Sequence, residues 1–117
     1  MSETTYIIDL TLDGQNRYRH YHRLEGNEIV EFSIQYEAYI QGRWQPIARY
    51  DSAHGYAHRD LLHPDGLETK MTFRNWDYAQ VLTYGERDLK QNWQSYRQRY
   101  LSEIEQIEGG HAWEATK

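Results

Sequence analysis

The chain contains no cysteine, only two prolines, only two valines and no long apolar run. Without thiols there is no disulfide framework, no thiolate zinc site and no cysteine nucleophile. No segment approaches the roughly 18 to 20 apolar residues of a membrane-spanning helix, and no apolar signal core follows Met1. A reducing cytoplasm is therefore the expected address. Basic residues are also the minority, 13 Lys and Arg against 18 Asp and Glu, for a formal net charge of -5. That balance argues against a protein that coats nucleic acid, because such binding rests on an excess of cations, but it leaves room for a local basic groove.

Aliphatic residues are scarce as well. Nine leucines, eight isoleucines, two valines and two phenylalanines make 21 of the 117 residues, a share low enough to raise the question of disorder. Eleven tyrosines and four tryptophans answer it, since each brings a large buriable ring with one polar group attached. The expected core is aromatic, with tyrosine hydroxyls near its rim. A chain of 117 residues supports one core, so a single domain over 1–110 is expected, with a flexible C-terminal tail over 111–117.

Period-two patterns predict strands over Tyr6–Leu12, Arg17–Leu24, Ile29–Ile40 and Trp44–Asp51. Asp13-Gly14, Gly26-Asn27 and Gln41-Gly42 turn the chain between them. Pro46 has no amide to give a ladder, which predicts an edge position or a bulge. Ser52–His58 reads as a loop, and Pro64-Asp65-Gly66 as a tight turn joining Leu61-Leu62 to Leu67, Thr69, Met71 and Phe73 in a short hairpin. The spacing then changes to three and four through Tyr78, Val81, Leu82, Leu89, Trp93, Tyr96, Tyr100, Ile104 and Ile107, as an amphipathic helix requires. Gly85 is expected to divide or bend it, Asn75 to cap its start and Gly109-Gly110 its end. The fold class expected is α+β: an antiparallel sheet of about five strands followed by one or two C-terminal helices packed on one face.

Chemistry concentrates between Arg49 and Gly66, where three histidines, two arginines and three aspartates lie in and around one loop. Two imidazoles and a cation suffice to cleave RNA without a metal: one base takes the 2′-hydroxyl proton, one acid protonates the leaving oxygen, and an arginine neutralises the phosphorane. In that scheme His58 and His63 form the acid/base pair, Arg59 or Arg49 holds phosphate, Asp51 orients an imidazole, and His54 stands by. The bland alternative makes the histidines ordinary loop residues, with Asp51 and Asp60 capping turns. A metal alternative uses His54, His58 and His63 with Asp60 or Asp65. His20-x-His22 places two imidazoles on one strand face as cupin-like barrels do, but the second motif of such barrels is missing, so packed histidines are expected. The opposite strand face shows Arg17, Arg19, Tyr21 and Arg23, cations interleaved with a ring, which suits single-stranded RNA and equally a solvated surface.

The run Arg49-Tyr50-Asp51, then Ala53, His54, His58 and His63, resembles a group of small uncharacterised bacterial proteins. It also resembles, more distantly, the TumE family of toxin-antitoxin toxins. The match spans about a sixth of the chain. That resemblance implies a ribonuclease-like toxin, with RNA as substrate, held in check by a DNA-binding antitoxin protein as partner; the two-imidazole scheme needs no cofactor. A third-party-free alternative is a non-enzymatic interaction module, a homodimer pairing through an edge strand or the exposed side of the long helix.

Overall fold

The computed structural model describes residues 1–115, and the side chains of residues 1–109. Six strands precede one helix: β1 (Ser2–Asp9), β2 (Asn16–Glu25), β3 (Glu28–Ile40), β4 (Arg43–Asp51), β5 (His58–Leu62), β6 (Glu68–Thr72) and α1 (Tyr78–Ala115), with a 3-10 turn at Ala53–Gly55 between β4 and β5. The strands form one antiparallel sheet in sequence order, β1-β2-β3-β4-β5-β6. The fold is α+β, with the helix packed across β3 and β4 on one face. Among the described residues, no helix is long and apolar enough to cross a membrane.

The first strand ends earlier than its alternation predicts. Asp13 accepts the Gln15 amide (3.0 Å) and the Thr11 hydroxyl, so the chain turns from residue 10 onward and Leu12 is left fully exposed. Pro46 does lie at a bulge: the pairing steps from Tyr36↔Ala48 to Glu37↔Pro46, leaving Ile47 extra on β4. It is also beyond the end of β5, whose pairing with β4 starts at Ala48, so no amide is missed on that side.

The helix begins at Tyr78, where the spacing changes, but its cap is not the expected residue. Asp77, not Asn75, takes the cap: its Oδ1 accepts the Gln80 amide at 2.7 Å while Gln80 Oε1 accepts the Asp77 amide at 3.0 Å. Gly85 does not divide α1, which runs unbroken through Gly109 and Gly110 to Ala115. The glycine pair therefore does not cap it. Residues 116–117 and the side chains from 110 onward, and with them the expected flexible tail, lie outside the described residues.

Alternation splits the sheet into two different faces. Toward α1 point Tyr18, Phe32, Ile34, Tyr36 and Tyr50, which meet Val81, Leu82, Leu89 and Tyr100 in the core. The three core tyrosines of the sheet are fully buried rather than placed at the rim, and each hydroxyl has a partner: Tyr18 with His20 Nδ1 (2.6 Å), Tyr36 donating to Asn16 (2.6 Å), Tyr50 donating to Asp88 (2.7 Å). Burial pushes all three phenols above their ordinary range. The helix-free face is charged, and that face carries most of the residues singled out above.

Candidate functional site

The β4–β5 register sets Asp51 opposite His58 and Arg49 opposite Asp60, all on the helix-free face. His58 Nε2 lies 2.9 Å from Asp51 Oδ1 and 3.4 Å from Asp60 Oδ2, with His58 1% exposed and Asp60 3%. The other ring nitrogen lies 3.3 Å from the Tyr56 carbonyl oxygen. Lys70, brought across by the β5–β6 hairpin, donates to Asp60 at 2.9 Å, and Arg49 stands 3.9 Å from the same carboxylate. Asp51 also accepts the Ala53 amide at 3.0 Å, which holds the turn that follows β4.

The expected acid/base pair does not meet. His63 falls just past the end of β5, roughly 16 Å along the chain from His58 at strand rise, and contacts α1 instead. Its Nδ1 is 2.9 Å from Glu103, its Nε2 is 2.7 Å from the Thr69 hydroxyl, and Arg99 approaches at 3.2 Å. Both imidazoles thus have both nitrogens engaged. Arg59 points the other way from His58, toward Tyr50 and Tyr96 under the helix, and its Nε is buried without a hydrogen bond. His54 is the exception: exposed, in a left-handed conformation at φ 71, with its ring 6.2 Å from that of His58.

The histidine set of the metal alternative is likewise not gathered, since His63 is held by Glu103. Among the described residues, Asp51, His58 and Asp60 do place three donor atoms within 4.8 Å of one another. Lys70 and Arg49 already supply cations to Asp60 there, so the trio is satisfied as an ion-pair network.

Arg17, Arg19, Arg23, Arg49 and Tyr21 share the helix-free face with that trio, but none is idle. Arg17 and Arg19 reach Glu37 at 2.6 and 3.1 Å, Arg23 reaches Glu25 and Glu31, and Tyr21 donates to Glu31. Arg17 also stacks 3.7 Å over Trp44, and Arg49 donates to Gln35 at 2.8 Å. Burial pushes the Glu37 carboxyl up, yet hydrogen bonds from Arg17, Arg19 and Gln35 outweigh it and hold it below its usual value. The face is a self-neutralised lattice more than a basic groove. On the other side of the sheet His20 and His22 are packed, as expected, in a chain from Tyr18 through His20 to His22 Nδ1 (2.7 Å), with Tyr6 stacked on His20.

Three features escaped the sequence. Lys70 was recoverable, because folding the hairpin about Pro64-Asp65-Gly66 pairs it with Asp60. Glu103 had no signal beyond its place on the helix. The third is a cleft of about 650 Å³ at the end of the sheet, between Gly55–Ala57, the start of β3 and the start of α1, into which Tyr56, Arg74 and Trp76 look.

Fold and site together define a small meander-sheet protein with one covering helix, an ion-paired open face and an aromatic cleft beside a histidine turn. A family model described as a domain of unknown function, DUF7718, matches residues 1–106, and the chain belongs to that family. No curated protein and no solved structure matches it. The resemblance to TumE toxins has no counterpart among these matches.

Proposed function

We propose that this domain works as a binding module whose working surface is the sheet end around Tyr56, Arg74 and Trp76. One contrast carries the reading. His58, His63 and the arginines of the open face are all spent on partners within the chain, which suits a scaffold and leaves no ring nitrogen for a substrate. At the cleft two side chains keep free surface: Trp76 is 43% exposed, and Arg74, over the Tyr56 ring, makes no ion pair or hydrogen bond among the described residues.

A toxin-like ribonuclease is the second reading, and His54 is the observation in its favour, an exposed imidazole next to the Gly55 wall of the same cleft. Purified protein incubated with total RNA from mildly acid to neutral pH separates the two, wild type beside His54→Ala and His58→Ala. The binding module predicts full-length RNA in all three. Cleavage by wild type that His54→Ala abolishes would put the ribonuclease reading in its place, and growth arrest on induced expression would then extend it to a toxin with an antitoxin partner.

A further inference from the structure

Trp76 lines two hollows at once, the 650 Å³ cleft on one flank and a more open one of about 580 Å³ on the other. The larger falls within the size range of small-molecule sites. Phe73 (5.4 Å, 66°) and Tyr84 (5.5 Å, 77°) meet the indole in edge-to-face geometry, which fixes it between the two hollows while it stays 43% exposed. Phe73 is in turn packed on buried Tyr50, which ties this wall to the core. A tryptophan so exposed leaves apolar ring surface in water, a cost that a planar ligand packed on it would relieve.

The cleft also holds one guanidinium that is outside the ion pairs of the described residues. Arg17, Arg19, Arg23, Arg49, Lys70, Lys90 and Arg99 each sit against a carboxylate, whereas Arg43, Arg59 and Arg97, like the arginines at these hollows, make no ion pair among the described residues. Arg74 instead lies 5.2 Å over the Tyr56 ring, and Arg87, in the neighbouring hollow, also lacks an acidic partner among the described residues. Two acids line the larger cleft. Asp77 caps α1 and keeps its negative charge there, and Glu28 is exposed, so both oppose an anion that Arg74 attracts.

We infer that the cleft takes a nucleotide unit, its base flat against Trp76 or Tyr56 and its phosphate on Arg74. Rings that present a face, joined to a guanidinium with no carboxylate of its own, are the combination that holds unstacked bases and their phosphates. An acidic peptide would satisfy Arg74 but leave the indole flank unmatched. The unit is either a free nucleotide or one residue of single-stranded RNA, which share this chemistry. The inference rests on the binding-module reading and names its ligand.

The test is fluorescence anisotropy of a labelled ten-nucleotide unstructured RNA at low salt, with competition by adenosine monophosphate and by an acidic decapeptide. Wild type is compared with Trp76→Ala, Arg74→Ala and Glu28→Gln, each checked by circular dichroism for an intact fold. Binding is expected, weakened about tenfold by either of the first two substitutions and strengthened by Glu28→Gln. Displacement by the mononucleotide assigns the cleft to a free nucleotide, and its failure to displace assigns it to a strand. Absence of binding to both RNA and the mononucleotide overturns the inference and leaves the binding-module reading standing, as does equal binding by all variants or displacement by the peptide alone. His54-dependent cleavage of RNA would instead overturn that reading, while the Trp76 and Arg74 substitutions decide the ligand by themselves.

Discussion

At His20 the sheet buries an imidazole 3% exposed, between the Tyr18 hydroxyl and His22, with Tyr6 stacked on its ring 4.5 Å away. Burial depresses its pKa below the model-peptide value of 6.5, and His22 beside it depresses it further; from α1, Glu86 opposes the shift and Lys90 adds to it. The folded chain therefore keeps this ring neutral where the unfolded chain takes up a proton. Above neutrality both states are neutral here and the contribution is whole. As pH falls through 6.5 the unfolded state binds more protons, so stability falls until the folded pKa is reached. One such group gives a slope of at most about 1.4 kcal/mol per pH unit. Urea midpoints of the wild type are expected to drop between pH 7 and about pH 5.5, and to drop less in His20→Gln, whose amide oxygen still accepts from Tyr18. Equal slopes in the two proteins would remove His20 as the cause.

At the scale of elements, Gly85 shows how a pattern and its reason come apart. Read along the sequence, a glycine in a helical stripe looks like a weak point, because it is a poor helix former. In the fold it is where α1 lies too near the sheet for a side chain: a Cβ built there would lie 2.8 Å from Tyr50 Cγ and 3.0 Å from Ile34 Cδ1. Tyr50 cannot swing aside, since its ring is fully buried and its hydroxyl is tied to Asp88. Gly85→Ala is therefore expected to destabilise by about 1 to 3 kcal/mol, despite the gain of nearly 1 kcal/mol in helix propensity. A urea midpoint that rises in this variant would show that the helix has room to retreat. Strands β2, β3 and β4 were legible to within a residue because one face is apolar and the other polar, which fixes both type and direction. The site was less legible for the same reason. Pairing of Asp51 with His58 depends on how the six residues between them turn, and no periodicity sets that. His63 lies one residue beyond β5, where alternation stops telling which way a side chain points. Arg74 and Trp76 occupy the short connection from β6 to α1, where their only signal was large side chains in an otherwise polar stretch.

For the whole molecule, the sheet and the helix depend on each other. All five strand pairings join sequence neighbours, so the meander closes through short turns, while the contacts of α1 with β3 and β4 span the chain. The face opposite α1 needs no cover, because its charges neutralise one another, and this explains how a single-layer sheet stands with one side open. The covered face has no such device: Ile34, Tyr36 and Tyr50 would meet water if α1 left, and Val81, Leu82, Leu89 and Tyr100 would lose their only apolar surroundings. Neither layer buries its stripe alone, and an isolated helix draws little stability from propensity. One cooperative transition is therefore expected in urea, with the helical signal at 222 nm and the near-ultraviolet signal of the core tyrosines falling together. A helical signal lost at lower urea than the aromatic one would mean that the sheet persists uncovered. The open face's ion pairs, not the helix, would then be the principal support of the fold.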